Sequence, residues 1–213
     1  MNSTVSVLLT VTLVVAAVDW FAVVTDRRSI EYVAKPLTMV TLIAAVLAMD
    51  VTSSPARACF VAALVFSLAG DVFLMLPDRE RFFVFGLGSF LVGHLAYVPG
   101  LLLLGFEPAT AVLGVAVVAA SMATLGRRVV RGVAAAEPKL APPVTVYMIV
   151  ISLMVSSAFA SAIPAAIVGA ILFYSSDALI AWNEFIDPKP WGRIAIMVTY
   201  HLGQIGLALA LVT

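Results

Sequence analysis

Apolar residues come in eight long blocks separated by short polar breaks, at roughly 5–24, 35–51, 58–77, 82–104, 109–125, 143–161, 163–182 and 193–212. Each approaches the ~20 residues that, at a rise of ~1.5 Å each, carry an α-helix across ~30 Å of hydrocarbon. Lipid offers no partner to an unpaired backbone N–H or C=O, so a run of this kind satisfies itself by becoming helical. The pattern predicts an all-α, polytopic membrane protein with eight transmembrane helices in one bundle, a single domain over residues 1–213. The longest connection is the basic stretch 126–142, which leaves no room for a soluble domain.

Composition agrees, since 63% of the residues are hydrophobic, 11% are charged and the mean hydropathy is +1.13. The apolar start, Val5 to Val18, has no Lys or Arg ahead of it and is followed by further spans, so it reads as a first helix rather than a secretory signal. Cys59 is the single cysteine, which excludes an intramolecular disulfide and the Cys clusters of structural zinc sites. Net charge is zero, and the distribution of the basic residues is accounted for by topology, so nothing points to nucleic acid.

That distribution also predicts orientation. The odd-numbered loops hold Arg27, Arg28 and Lys35, then Arg79 and Arg81, then Arg127, Arg128, Arg131 and Lys139, then Lys189 and Arg193. Arg57 alone falls on the other side. The positive-inside rule places the odd loops in the cytoplasm and both termini outside.

Against this apolar background two carboxylates stand out. Asp71 lies within 59–76 and Asp177 within 163–182. A carboxylate at a span's centre costs about 2.5–3.5 kcal/mol on insertion scales, so such groups face a bundle interior and mark function. Counted from the basic ends, Asp71, Asp177 and Asp19 lie roughly 8–9 Å deep and His201 roughly 12 Å, with His94 nearer the midplane. Helical spacing puts Ser67 on the face of Asp71, Tyr97 on that of His94 and Gln204 on that of Tyr200. Ser176 adjoins Asp177, and Ser89 and Tyr174 offer further hydroxyls. The expected site is a polar pocket opening toward the cytoplasm. Asp19, beside Trp20, is expected to be solvated or paired, and Lys35-Pro36 to start a helix, since proline is tolerated in a first turn. Glu184 and Asp187 are expected at a solvated helix end and turn.

Asp71 and Asp177, Gly86 and Gly192, and Pro36 and Pro142 are each 106 positions apart, and His94 and His201 are 107 apart. The spacing raises a parallel 4+4 repeat, two four-helix halves related by duplication.

Ser67-Leu-Ala-Gly-Asp71, Phe85-Gly86 with Phe90, His94 and Tyr97, Phe173-Tyr-Ser-Ser-Asp177 with Ala181, and Tyr200 with Gln204 together resemble the lysoplasmalogenase family, the bacterial YhhN proteins and the animal transmembrane protein 86 group. Lys35-Pro36-Leu37 and Tyr147 also look like family positions. The resemblance covers most of the chain and implies hydrolysis of the vinyl ether bond of a lysoplasmalogen, releasing a fatty aldehyde and a glycerophospho-ethanolamine or -choline. It implies a membrane lysophospholipid substrate, no cofactor and no metal, in a bacterial cell (inner) membrane.

The residues suit that reaction. Vinyl ether hydrolysis begins with proton transfer to carbon, passes through an oxocarbenium ion and ends with water addition and collapse of a hemiacetal. It calls for one protonated carboxyl and one carboxylate, and two carboxyl groups close together in apolar surroundings lose their protons in separate steps. Glycosidases divide the work in the same way. Asp71 and Asp177 are the expected catalytic pair, in either order. Ser67, His94, Tyr97, Ser176, Tyr200, His201, Gln204 and Lys35 are expected to bind or orient substrate. Two other readings stand beside this one. A metal-dependent lipid hydrolase could use the two His and two Asp, although HExxH and a third histidine are missing. A proton-coupled transporter could use the same buried Asp/His chain.

Overall fold

A computed structural model describes residues 2–77 and 79–212, with the side chains of 79–81 left aside. The helices are α1 (Ser3–Val24), α2 (Arg28–Ala48), α3 (Ser54–Met75), α4 (Arg79–Leu102), α5 (Pro108–Ser121), α6 (Arg127–Ala136), α7 (Ala141–Ala160), α8 (Pro164–Phe185) and α9 (Gly192–Leu209). One wide turn with i→i+5 bonding, Met122–Gly126, runs α5 into α6, making a single span over Pro108–Ala136. Among the described residues eight helices are long and apolar enough to cross a membrane. The side chains of Arg79 and Arg81, assigned above to the third loop, fall outside the described residues.

Two boundaries differ from expectation. The stretch 126–142 is helical over most of its length rather than a loop. Val129 and Val133 of α6 are buried against Val144 and Met148, while Arg127, Arg128 and Arg131 point outward. A high density of charge hides an amphipathic helix when the apolar stripe is this narrow. Likewise α2 starts at Arg28, so Lys35 and Pro36 lie two turns inside it. Proline breaks one backbone hydrogen bond, and packed neighbours in a membrane bundle make that tolerable.

Helix starts follow local chemistry. Asn2 and Ser53 cap α1 and α3 by accepting from the N–H of Val5 and Ala56, and Pro55 and Pro108 occupy first-turn positions. Outward faces are apolar, as at Val7, Val24, Val112 and Val115, which suits a helix surface solvated by lipid tails. The interior is built from α1 against α2, α3 against α4, and α8 against α9, with α4 and α7 in contact across the middle.

Glycine sets the closest of these approaches. A Cβ on Gly203 would lie 2.8 Å from the backbone N of Phe173, and one on Gly169 would lie 2.5 Å from the N of Leu207. Only a hydrogen fits there, so α8 and α9 meet backbone to backbone, the small-residue packing of membrane helices. That contact carries Tyr200 and Gln204 in to the level of Phe173.

Candidate active site

Asp71, one turn above the end of α3, is 1% exposed. Its Oδ1 receives Lys35 Nζ of α2 at 3.0 Å, and its Oδ2 receives the Tyr200 hydroxyl of α9 at 2.6 Å. Lys35 is itself 7% exposed, and each partner of this pair would be strongly destabilising if left alone. The placement departs from the expected helix start at Lys35, because α2 extends two turns further toward its basic end.

Asp177 sits on α8 among different neighbours. The Tyr147 hydroxyl of α7 donates to Oδ2, and His94 Nε2 of α4 faces the same oxygen at 3.7 Å. His94 Nδ1 lies 2.6 Å from the Phe90 carbonyl, which only accepts, so in the neutral ring Nδ1 carries the hydrogen and Nε2 turns a lone pair toward Asp177. Asp71 therefore has a donor on each oxygen, one of them charged, whereas Asp177 has one phenol and an imidazole lone pair.

Between them runs a chain of rings. Tyr147 stands edge-on to His94 with centroids 5.3 Å apart, His94 meets Phe173 at 4.6 Å, and Phe173 meets Tyr200 at 5.4 Å. Phe90 closes the wall against both Phe173 and Tyr200. A cavity of about 60 Å³, lined by Leu74, Phe90, Tyr147, Ile151, Tyr174 and Asp177 among others, opens beside this wall.

The other expected residues divide. Tyr97 donates to Gln204 Oε1 at 2.6 Å, tying α4 to α9 above the carboxylates. Ser67 is buried one turn from Asp71, its hydroxyl unpartnered among the described residues. Ser176 donates to the Ile196 carbonyl at 3.1 Å and so fastens α8 to α9. His201 accepts at Nδ1 from Trp20 Nε1 at 3.1 Å, on the α1 side of Tyr200. Asp19 corrects the expectation of a solvated or paired group: it is fully buried, and neither oxygen has a hydrogen-bond partner among the described residues. The cause is its place on the inward stripe of α1, in register with Thr12, Ala16 and Ala22. Tyr147 is a family position to which the sequence assigns no role, since no helical spacing connects it to a residue on another helix.

No three His, Cys, Asp or Glu side chains gather together among the described residues. The class these features define is a polytopic intramembrane protein with two unlike carboxyl sites at one aromatic wall, Asp71 buried and Asp177 half-buried. The YhhN family model matches residues 30–211, and the chain belongs to that family. It is 36% identical over 152 residues to the lysoplasmalogenase of Mycobacterium bovis, covering 70% of this chain and 58% of the relative. To lysoplasmalogenase TMEM86B of Homo sapiens it is 32% identical over 148 residues, 70% of this chain and 61% of the relative. For lysoplasmalogenase TMEM86A of Homo sapiens the identity is 33% over 163 residues, with 70% and 63% covered. The chain thus spans about three-fifths of the length of these curated relatives. No solved structure matches it.

Proposed function

We propose that the chain is a lysoplasmalogenase-like hydrolase that cleaves the vinyl ether bond of lysoplasmalogens to a fatty aldehyde and a glycerophospho-ethanolamine or -choline. The names of its relatives supply the substrate class. The observation that carries the mechanism is the unlike donor sets of the two carboxyl groups.

Lys35 and Tyr200 both donate to Asp71, an arrangement that favours the anion. Asp71 is then the carboxylate that faces the developing oxocarbenium charge. Asp177, with His94 turning a lone pair toward it, is the group that holds a proton. Asp177 gives that proton to the vinyl carbon remote from oxygen, and the cation forms between the ether oxygen and its carbon. Water adds to that carbon, its proton returns to Asp177, and the hemiacetal collapses to aldehyde and a free glycerol hydroxyl. Tyr147 and Tyr200 hold the two carboxyl groups in place, and Phe90 and Phe173, packed edge to face, wall the site. The apolar cavity at Asp177 takes the vinyl end, with the rest of the chain lying along the outer helix faces. The basic loops and this mouth face the cytoplasm of a bacterial cell membrane, both termini lying outside.

The test is aldehyde release by purified protein from lysoplasmenyl-ethanolamine, with saturated lysophospholipid as control. Turnover on the vinyl ether alone, lost in both Asp71→Asn and Asp177→Asn and retained in chelator, upholds the proposal. Full activity in either variant ends the carboxyl mechanism, and dependence on added metal transfers the site to a metal-dependent hydrolase.

A further inference from the structure

At the basic end, α2, the end of α3 and the start of α9 enclose a cleft of about 450 Å³ of which the reaction above uses Lys35 alone. Arg28, Glu31, Tyr32, Lys35, Leu74 and Arg193 are among its lining residues. Arg193 reaches Glu31 at 2.8 Å within the lining, and Asp26, outside it, takes Arg193 at 3.0 Å and Arg28 at 3.4 Å. Arg28 and Arg193 are 64% and 45% exposed, within reach of a ligand. At the floor, Lys35 is the same ammonium that bonds Asp71. Leu74 lines both this cleft and the apolar cavity holding Asp177. Lys35, Leu74 and Phe83 line a smaller cleft between the two.

We infer that this cleft is the headgroup site of a zwitterionic glycerophospholipid, with phosphate on Arg28, Arg193 and Lys35 and a primary ammonium on Glu31, and that it selects phosphoethanolamine over phosphocholine. The inference rests on the lysoplasmalogen reading for the remainder of the lipid, and on the cleft's own chemistry for the headgroup itself. A phosphodiester takes the forked donors of arginine in pairs, and the helix starts at Arg28 and Gly192 add positive ends, neither having a side-chain cap. A primary ammonium has three hydrogens for carboxylate oxygens. A quaternary one has none and is held instead by aromatic cages. Tyr32 is the aromatic residue of this lining, and its hydroxyl donates to the Met75 carbonyl at 2.9 Å. Only the glycerol carbons separate phosphate from the sn-1 ether oxygen, so a phosphate held at Lys35 delivers that oxygen to Asp71, on the other side of the same ammonium. Headgroup recognition and reaction register then share one residue.

The experiment has two arms. In the first, binding of glycerophosphoethanolamine, glycerophosphocholine and inorganic phosphate to the purified protein is followed by calorimetry, which needs no turnover. Preferential binding of glycerophosphoethanolamine, weakened about tenfold in Arg28→Ala or Arg193→Gln through loss of a charge-assisted hydrogen bond, supports the site. Equal binding of all three, or binding unaffected by either arginine, overturns it. Arg28, with its largely exposed side chain, serves if the Arg193 variant does not fold. In the second arm, aldehyde release from lysoplasmenyl-ethanolamine is compared with that from 1-alkenylglycerol, which lacks a headgroup. The arginine variants are expected to lower the preference for the phospholipid about tenfold, and Glu31→Gln to lower the preference for ethanolamine over choline. Preferences unchanged in all variants overturn the assignment while leaving the hydrolase standing. Specific glycerophosphoethanolamine binding by a protein that releases no aldehyde would sink the hydrolase reading and keep the cleft.

Discussion

Asp71 and Asp177 occupy matching places, 106 residues apart on the third helix of each half of the chain, yet their surroundings are opposite in kind. Around Asp71 are a lysine and a phenol, both donors. Around Asp177 are a phenol and the lone-pair side of a histidine. The partners that reach across are themselves matched, since Tyr200 of α9 meets Asp71 and His94 of α4, 106 residues earlier, meets Asp177. Tyr97 and Gln204, joined by a hydrogen bond, are 107 apart. A duplicated 4+4 bundle would generate this exchange of partners, and that origin is a proposal tested by superposing α1–α4 on α5–α9. The comparison teaches that one scaffold can give two carboxyl groups unlike partners when a few matched positions differ, Tyr200 against His94 among them. Lys35 supplies the difference in charge, for Ala141 stands 106 residues after it.

The largest effects should come from removing either carboxyl. Asp71→Asn and Asp177→Asn are each expected to lower turnover about 10²–10⁴-fold, the range of a general acid or base. The comparison is sharpened by the pH–rate profile: residual activity in Asp177→Asn should lose the limb that reports a protonated acid, and that in Asp71→Asn should lose the other. Identical profiles would break the division of labour. Next comes Lys35→Met, which leaves Asp71 as an uncompensated buried charge and should cost about 3–5 kcal/mol in detergent unfolding. Adding Asp71→Leu to that variant should restore much of the stability without restoring turnover, since a buried ion pair replaced as a whole is close to neutral.

Smaller and more discriminating is the pair of phenols. Tyr200→Phe removes a hydrogen bond to a charged group and should cost about 1.5–3 kcal/mol, whereas Tyr147→Phe, acting on a neutral acid, should cost about 0.5–1.5 kcal/mol. Equal losses would argue that both carboxyl groups share one charge state.

The legibility of the fold and site in the sequence depends on what each signal measures. Apolar run length reports spans, so eight helices are countable from hydropathy alone, and buried charge flags Asp71 and Asp177. Helix ends rich in Arg, Glu and Ser look like loops to the same measure, which is why α6 and the first turns of α2 escape it and Lys35 reads as a helix start. Partners on other helices leave no spacing signal. Tyr147 on Asp177 and Lys35 on Asp71 need the packing of α7 on α8 and of α2 on α3. Asp19 is misread because an aspartate beside a tryptophan suggests an interface, and only the docking of α1 on α9 turns Trp20 toward His201.

The smallest expected effect calibrates the buried pair against an exposed one. Asp26, in the turn before α2, accepts from Arg193 and Arg28, and these hydrogen bonds hold its carboxyl below the ordinary carboxylate range. A carboxyl lowered on folding stabilises the fold above its unfolded value and loses that contribution as pH falls through its folded value. Between neutrality and the usual carboxylate range, Asp26 should therefore add a constant increment, lost only on stronger acidification and screened by salt because the pair faces water. Asp26→Asn should remove that acid-sensitive and salt-sensitive increment from unfolding curves while both carboxyl variants of the interior keep it. An increment that survives in Asp26→Asn would mean that the acid response belongs to the buried Lys35–Asp71 pair, and the two regions would then be coupled rather than merely adjacent.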